Sequence, residues 1–226
     1  MKKQTGYKSH PPLKIVSPML SAQQPFESSL EEWIEDNDTL KDAAVEMGVS
    51  TGIERRGITL SNCTFNRHFF PACSMKGVQM NDVVFDSCDL SNVNWNGASL
   101  HRIAFRNCKL TGINLSESTL YHISFTGCVG EYANFSMSKL EQIGFEHCDL
   151  PHTSFMECRL RSIGFLHSRI TESEFYRTPL RGIDLRMAEI AGIQAHIPDL
   201  KGAVVSALQV TDLVPLLGVV IKDDIE

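Results

Sequence analysis

Cys108-Lys109-Leu110-Thr111-Gly112-Ile113-Asn114-Leu115-Ser116-Glu117-Ser118-Thr119-Leu120-Tyr121-His122-Ile123-Ser124-Phe125 carries an apolar residue at every fifth place: Leu110, Leu115, Leu120 and Phe125. Two places earlier in each pentad stands a second apolar or small residue: Cys108, Ile113, Ser118 and Ile123. Side chains two apart that point the same way define a short strand. The polar residues between and after them suit an outward side chain and a turn. A period of five fits neither a helix nor a long flat strand, so each pentad reads as one short strand followed by one corner.

The phase runs unbroken in both directions. Upstream stand Phe85, Leu90, Trp95, Leu100 and Phe105; downstream Phe135, Leu140, Phe145, Leu150, Phe155, Leu160, Phe165, Ile170, Phe175, Leu180, Leu185 and Ile190. Corners at this spacing wind the chain into a β-solenoid whose coils bury one another's faces. Phe and Leu alternate at the central position, so like stacks on like only if the coil has an even number of sides. Cys88, Cys108, Cys128 and Cys148 recur every twenty residues, which makes four sides. The expected fold is all-β, a quadrilateral solenoid of about seven coils from Ile58 to Leu200, on the order of 34 Å long at the usual strand spacing. Gly130 interrupts the Leu110–Leu150 column and predicts a thin place in the wall.

Three segments follow from this reading. Residues 1–55 form an extended arm and a degenerate first coil, residues 56–200 the solenoid, and residues 201–226 a cap. Ser28 and Ser29 before Glu31 and Glu32 give overlapping capping boxes for a short helix. Thr39–Met47 reads as a second helix or, preferably, as the first coil, because Ile53 and Ile58 already hold the inward position. Beyond Leu200, Ser206 and Gln209 form another capping box for a helix through Leu208, Leu213, Leu216 and Leu217, ended by Gly218. Pro215 would break its interior, so the helix is expected to restart with Pro215 in its first turn. Val219–Ile221 reads as a terminal strand.

The chain has 226 residues, is 42% hydrophobic and has a net charge of −6. Mild acidity argues against direct nucleic-acid binding and gives no reason to expect a membrane partner. No segment has the length of a membrane span or the apolar core of a secretion signal. Seven cysteines without C-x-x-C spacing argue against a disulfide framework or zinc module and fit a cytoplasmic location. The cysteine column reads as small buried residues, and His147 and His167 should lie side by side one coil apart. No cofactor or metal is expected. No nucleophile motif, phosphate loop or HExxH occurs, and a filled solenoid offers no active-site pocket. The chain is therefore not expected to be an enzyme.

The pattern, as in Cys108-Lys109-Leu110-Thr111-Gly112 and Ala133-Asn134-Phe135-Ser136-Met137, resembles the pentapeptide repeat family. That resemblance implies a right-handed quadrilateral β-helix. Arg181-Gly182-Ile183-Asp184-Leu185, Leu200-Lys201-Gly202-Ala203-Val204-Val205 and Leu216-Leu217-Gly218-Val219-Val220-Ile221 look like the tail of Qnr-like quinolone-resistance proteins of Gram-positive bacteria. It implies a DNA-mimicking protein that binds gyrase or topoisomerase IV and protects it from quinolones; the alternative is a scaffold for another cytosolic partner. Sorting outward charges by side places Asp89, Glu131, Asp149, Glu172 and Glu189 on one acidic face, the expected partner-binding surface. A homodimer is expected through Leu213, Leu216, Leu217 and Val219.

Overall fold

A computed structural model describes residues 13–220. Within them the chain winds as a four-sided β-solenoid of parallel, in-register coils. Ser99–Arg106 pairs with Thr119–Thr126, which pairs with Lys139–Glu146, which pairs with Arg159–Leu166, each step being twenty residues. There are about eight turns, the seven expected from Ile58 to Leu200 and the degenerate coil before them. In that coil Thr39–Lys41 pairs with Thr59–Ser61, and Gly48–Val49 with His68–Phe69. Thr39–Met47 is therefore coil and not helix.

Burial of the inward pair drives the winding. Phe65, Phe85, Phe105, Phe125, Phe145 and Phe165 stack as near-parallel rings at centroid spacings of 4.7–5.3 Å. Phe135, Phe155 and Phe175 do the same on the opposite wall and meet the first column edge to face, as Phe125 and Phe135 do at 6.0 Å and 84°. Offset and edge-to-face contacts are the arrangements that ring quadrupoles favour. Leu100, Leu120 and Leu140 line a third wall, and Leu90, Leu110 and Leu150 the fourth, all buried.

Gly130 corrects one expectation. The wall is not thin there, because its neighbours close in: an added Cβ would meet Leu110 Cβ at 2.9 Å and Leu150 Cδ2 at 3.1 Å. Val129 and Tyr132, which could have filled a gap, are instead exposed.

Nearly every corner turns through one residue in the left-handed region. Arg102, Asn107, Glu117 and His122 have φ of +53°, +51°, +58° and +56°. Such a conformation costs an L-residue roughly 1–2 kcal/mol, so the stacked core must hold every corner in place.

Both ends are closed. At the start, the helix Leu30–Asp36 is capped by Ser29, whose Oγ accepts the Glu32 N–H at 3.3 Å, and it buries Leu30 and Ile34. At the other end the second capping box forms reciprocally: the Ser206 N–H donates to Gln209 Oε1 at 2.8 Å, and the Gln209 N–H to Ser206 Oγ at 3.3 Å. Gln209 is itself buried, and its Nε2 donates to the carbonyls of Leu185 and Ala188, both at 2.7 Å, so one amide plugs orphan acceptors of the last coils. A short α-turn, Val210–Leu213, gives way to a 3-10 turn, Val214–Leu217, with Pro215 in its first turn and Gly218 at φ +74°. Pro215 thus splits the helix rather than kinking it. The expected terminal strand is absent at Val219 and Val220; Ile221 lies outside the described residues.

Candidate interaction surfaces

With the interior filled, any function must be carried by the outside of the rod. The four sides differ sharply, and the reason lies in their outward columns.

The side built on the Phe65–Phe165 column is covered by the amino-terminal arm, which runs across the strands from the late coils back to the first. Its backbone is gripped by corner side chains. Lys14 N–H donates to Gln142 Oε1 at 3.1 Å, Val16 N–H to His122 Nδ1 at 3.2 Å, Met19 N–H to Asp82 Oδ1 at 2.8 Å and Ser21 N–H to Asn62 Oδ1 at 2.9 Å. Those acceptors share one corner column. Their backbones drop out of the strand pairing, which passes from His101–Tyr121 directly to Ile103–Ile123, so their side chains stand free to hold another segment. Gln24 and Pro25 end the arm by pairing with Ala43 and Ala44.

The floor beneath the arm is made of small outward residues, Ala104, Ser124, Gly144 and Gly164. A Cβ on Gly144 would lie 2.6 Å from Ile15 Cδ1, and one on Gly164 3.0 Å from Leu13 Cδ2. Their smallness therefore makes room for the two arm side chains. Asp82 is the strongest anchor, since Arg102 binds it with Nε at 2.6 Å and Nη2 at 2.5 Å, and both side chains are largely buried. The hydrogen bonds from Arg102 hold the Asp82 carboxyl below its ordinary range.

The next side carries the column Asp89, Lys109, Val129, Asp149, Arg169 and Glu189. Here two of the five expected partner-binding carboxylates are tied to cations one coil away. Asp89 meets Lys109 at 3.5 Å, and Asp149 receives Arg169 in a two-pronged contact at 2.6 Å. Glu131 and Glu172 flank His152 at 3.9 and 3.4 Å. Glu189 has no ion pair among the described residues. The five carboxylates thus share one side of the rod, but two are already neutralised. The third side carries the column Ser74, Asn94, Asn114, Asn134, Ser154, Glu174 and Gln194, in which Asn114 Nδ2 donates to Asn94 Oδ1 at 3.2 Å.

The cysteine column is structural. Cys108, Cys128 and Cys148 point their thiols at the carbonyls of Phe85, Phe105 and Phe125, at 3.4–3.5 Å. Ser138 and Thr178 use hydroxyls the same way at the equivalent place on another side. All seven cysteines are free and buried. The hydrogen bond with Cys128, and then burial, push Cys108 up to about 12; burial pushes Cys158 up to about 11. Cys148, at the end of the column, is drawn down by its hydrogen bond with Cys128. His147 and His167 do stack, at 5.2 Å and 12°. No group of three His, Cys, Asp or Glu suited to a metal occurs among the described residues.

Of the expected dimer residues, Leu217 and Val219 are 60% and 50% exposed, whereas Leu213 packs partly on the core and Leu216 is half-buried. Leu208 and Val210, outside that set, are also exposed. No described helix is long and apolar enough to cross a membrane.

The coils are twenty residues long, four pentads each, and residues 98–175 match the family model described as a pentapeptide repeat region. Among solved structures, the chain is similar to a trypsin-treated form of QnrB1, a plasmid-mediated fluoroquinolone resistance protein. Identity is 20%, over 81% of this chain and 91% of that one, with a TM-score of 0.36. HetL, involved in heterocyst differentiation regulation in the cyanobacterium Nostoc, shares 12% identity over 80% of this chain and 100% of its own, with a TM-score of 0.35. Rfr23 from the cyanobacterium Cyanothece shares 9% over 77% and 96%, with a TM-score of 0.23. No curated protein matches the chain.

Proposed function

We propose that this chain is a non-catalytic, protein-binding rod whose arm-free side stands in for DNA in the basic channel of a type II topoisomerase, gyrase or topoisomerase IV, and so protects that enzyme from quinolones. One observation carries the reading. Between residues 89 and 189, the two sides away from the arm hold eight carboxylates, Asp89, Glu117, Glu131, Asp149, Glu157, Glu172, Glu174 and Glu189, against three cations, Lys109, Arg169 and Arg177. Fixed carboxylates on a rigid solenoid present a directed negative field to a basic groove and steer association. Asp89, Glu131, Asp149, Glu172 and Glu189 form the central strip of that field. The tail resemblance supplies the identity of the enzyme.

An end-to-end homodimer through Leu213, Leu216, Leu217 and Val219 belongs to the same reading, because an isologous contact would cover the exposed Leu217 and Val219 of both copies at once. Leu217→Asp should then sediment as a monomer with unchanged β-sheet signal; a wild-type monomer would refute the dimer.

The test of function is gyrase supercoiling under ciprofloxacin. The native protein should restore supercoiling, and an E131K/D149K/E172K variant should not, while melting like the native chain. Failure of the native protein to bind or protect would leave a scaffold for a different protein partner, a role favoured by the pairing of Asp89 and Asp149 with their own cations.

A further inference from the structure

We infer that the fourth side of the rod, in its carboxy-terminal half, is a binding surface for the phosphodiester backbone of duplex DNA, gripped by Lys139, Arg159, Arg161, Arg181 and Lys201. The observation is one of broken charge alternation. Many coil-to-coil neighbours pair opposite signs, as in Asp82–Arg102, Asp89–Lys109, Asp149–Arg169 and Glu157–Arg177, although Arg56 also stands opposite Lys76. On this side, apart from Glu141 opposite Arg161, like stands on like over several coils. Lys139 lies directly opposite Arg159 in the strand register, and Arg161, Arg181 and Lys201 recur at the coil repeat. Like charges directly opposite one another destabilise a sheet, so the stretch holds a repulsion that the fold does not need.

Among the described residues only Glu141 relieves it. Of the five cations only Arg161 has an ion pair among the described residues, with Glu141 at 3.2 Å. Asp199 is turned away, accepting the Arg177 N–H at 2.9 Å and facing His196 at 3.4 Å. All five cations are exposed. A linear polyanion relieves such a column.

Spacing and chemistry select the kind of polyanion. At about 4.8 Å per coil, Lys139 to Lys201 spans roughly 14 Å, the rise over which one DNA strand presents about four phosphates. The outward positions among the cations are Glu141, Pro179 and Asp199, which offer no large apolar side chain to enter a bilayer. The whole-chain charge of −6 conceals this stripe because the acidic excess sits on the other sides. The inference does not rest on the topoisomerase reading, and it assigns a different side of the rod.

The full chain, without any topoisomerase, is titrated against a fluorescein-labelled duplex by anisotropy. With four to five phosphate contacts the logarithmic salt slope should be about −4, a loss on the order of 100-fold between roughly 50 and 200 mM salt. K139E/R159E/R181E should weaken low-salt binding by at least about 30-fold, whereas R106E, a cation on another corner, should stay within about threefold. If the triple variant does not fold, K139Q/R159Q with a matched melting curve serves the same end. Absence of binding at low salt, equal binding by the triple variant, or binding to phosphatidylserine vesicles but not to duplex would each overturn the inference. Acid-side variants that lose quinolone protection should keep this DNA binding, so the two readings fail separately.

Discussion

Gly144→Val should open the arm while leaving the rod intact. The glycine sits at an outward position of the strand Lys139–Glu146, where a β-branched residue suits the backbone. Its absent side chain is the space that Ile15 enters, since the first added carbon would stand 2.6 Å from Ile15 Cδ1 and 3.4 Å from Leu13 Cδ2, with no solenoid atom within 4 Å. Valine therefore evicts the arm's half-buried isoleucine and presses on Leu13 beside it. Burying such a side chain is worth about 1.5–3 kcal/mol when complete; Ile15 is only half-buried, so the loss is about 1–1.5 kcal/mol. Every 1.4 kcal/mol is tenfold in an equilibrium, so the detached fraction should rise roughly five- to tenfold. Cleavage by trypsin at Lys14–Ile15 reads this directly, because proteolysis of a rapidly opening segment follows its open population. The thermal midpoint of the β signal should barely move. An unchanged cleavage rate, or a cleavage increase matched by loss of the β signal, would refute the seating of Ile15 on Gly144.

Gly130→Ala should lower stability by about 1–3 kcal/mol, measured by denaturant unfolding, because it overpacks a closed wall; an unchanged midpoint would mean that Leu110 and Leu150 retreat freely. Native protein should show almost no thiol reactivity and all seven thiols in denaturant; prompt native labelling of Cys108 would contradict its burial. Asp82 has a folded pKa below its unfolded value of about 3.9, so its contribution is complete above that value and is lost as the pH falls through the lower, folded one. Amide exchange at Met19 should therefore accelerate, beyond the intrinsic rate, only in that acid window, and Asp82→Asn should bring the same loosening to neutral pH.

Much of the solenoid is written in the pentads, because a wall four strands round leaves only two inward places per side and both must be apolar or small. The degenerate first coil is harder to read than the rest because Thr39–Val49 keeps Leu40 and Val45 inward but puts Ala44, Met47 and Val49 at outward places. The docking of the arm is illegible for a different reason. Leu13-Lys14-Ile15-Val16 is too short to declare a docking site, and its groove is spelled out at twenty-residue intervals, in the small outward residues 104, 124, 144 and 164. A reading that asked which outward positions are not polar would have found it. The acidic side was legible as a count but not as a field: that Asp89 answers Lys109 and Asp149 answers Arg169 emerges only once the coils are superposed.

The arm also changes what sort of object the rod is. A repeat stack is held by nearest neighbours alone, so its ends can fray or grow independently. Here Lys14 touches Gln142, 128 residues away, while the same short segment reaches back to Asn62 and Ala43. Loosening of a late coil is thereby felt at the first, and unfolding should gain cooperativity that a bare solenoid lacks. The arm is synthesised before the coils yet finds its last acceptors only when the later coils exist, so its closure reports that the winding has been completed.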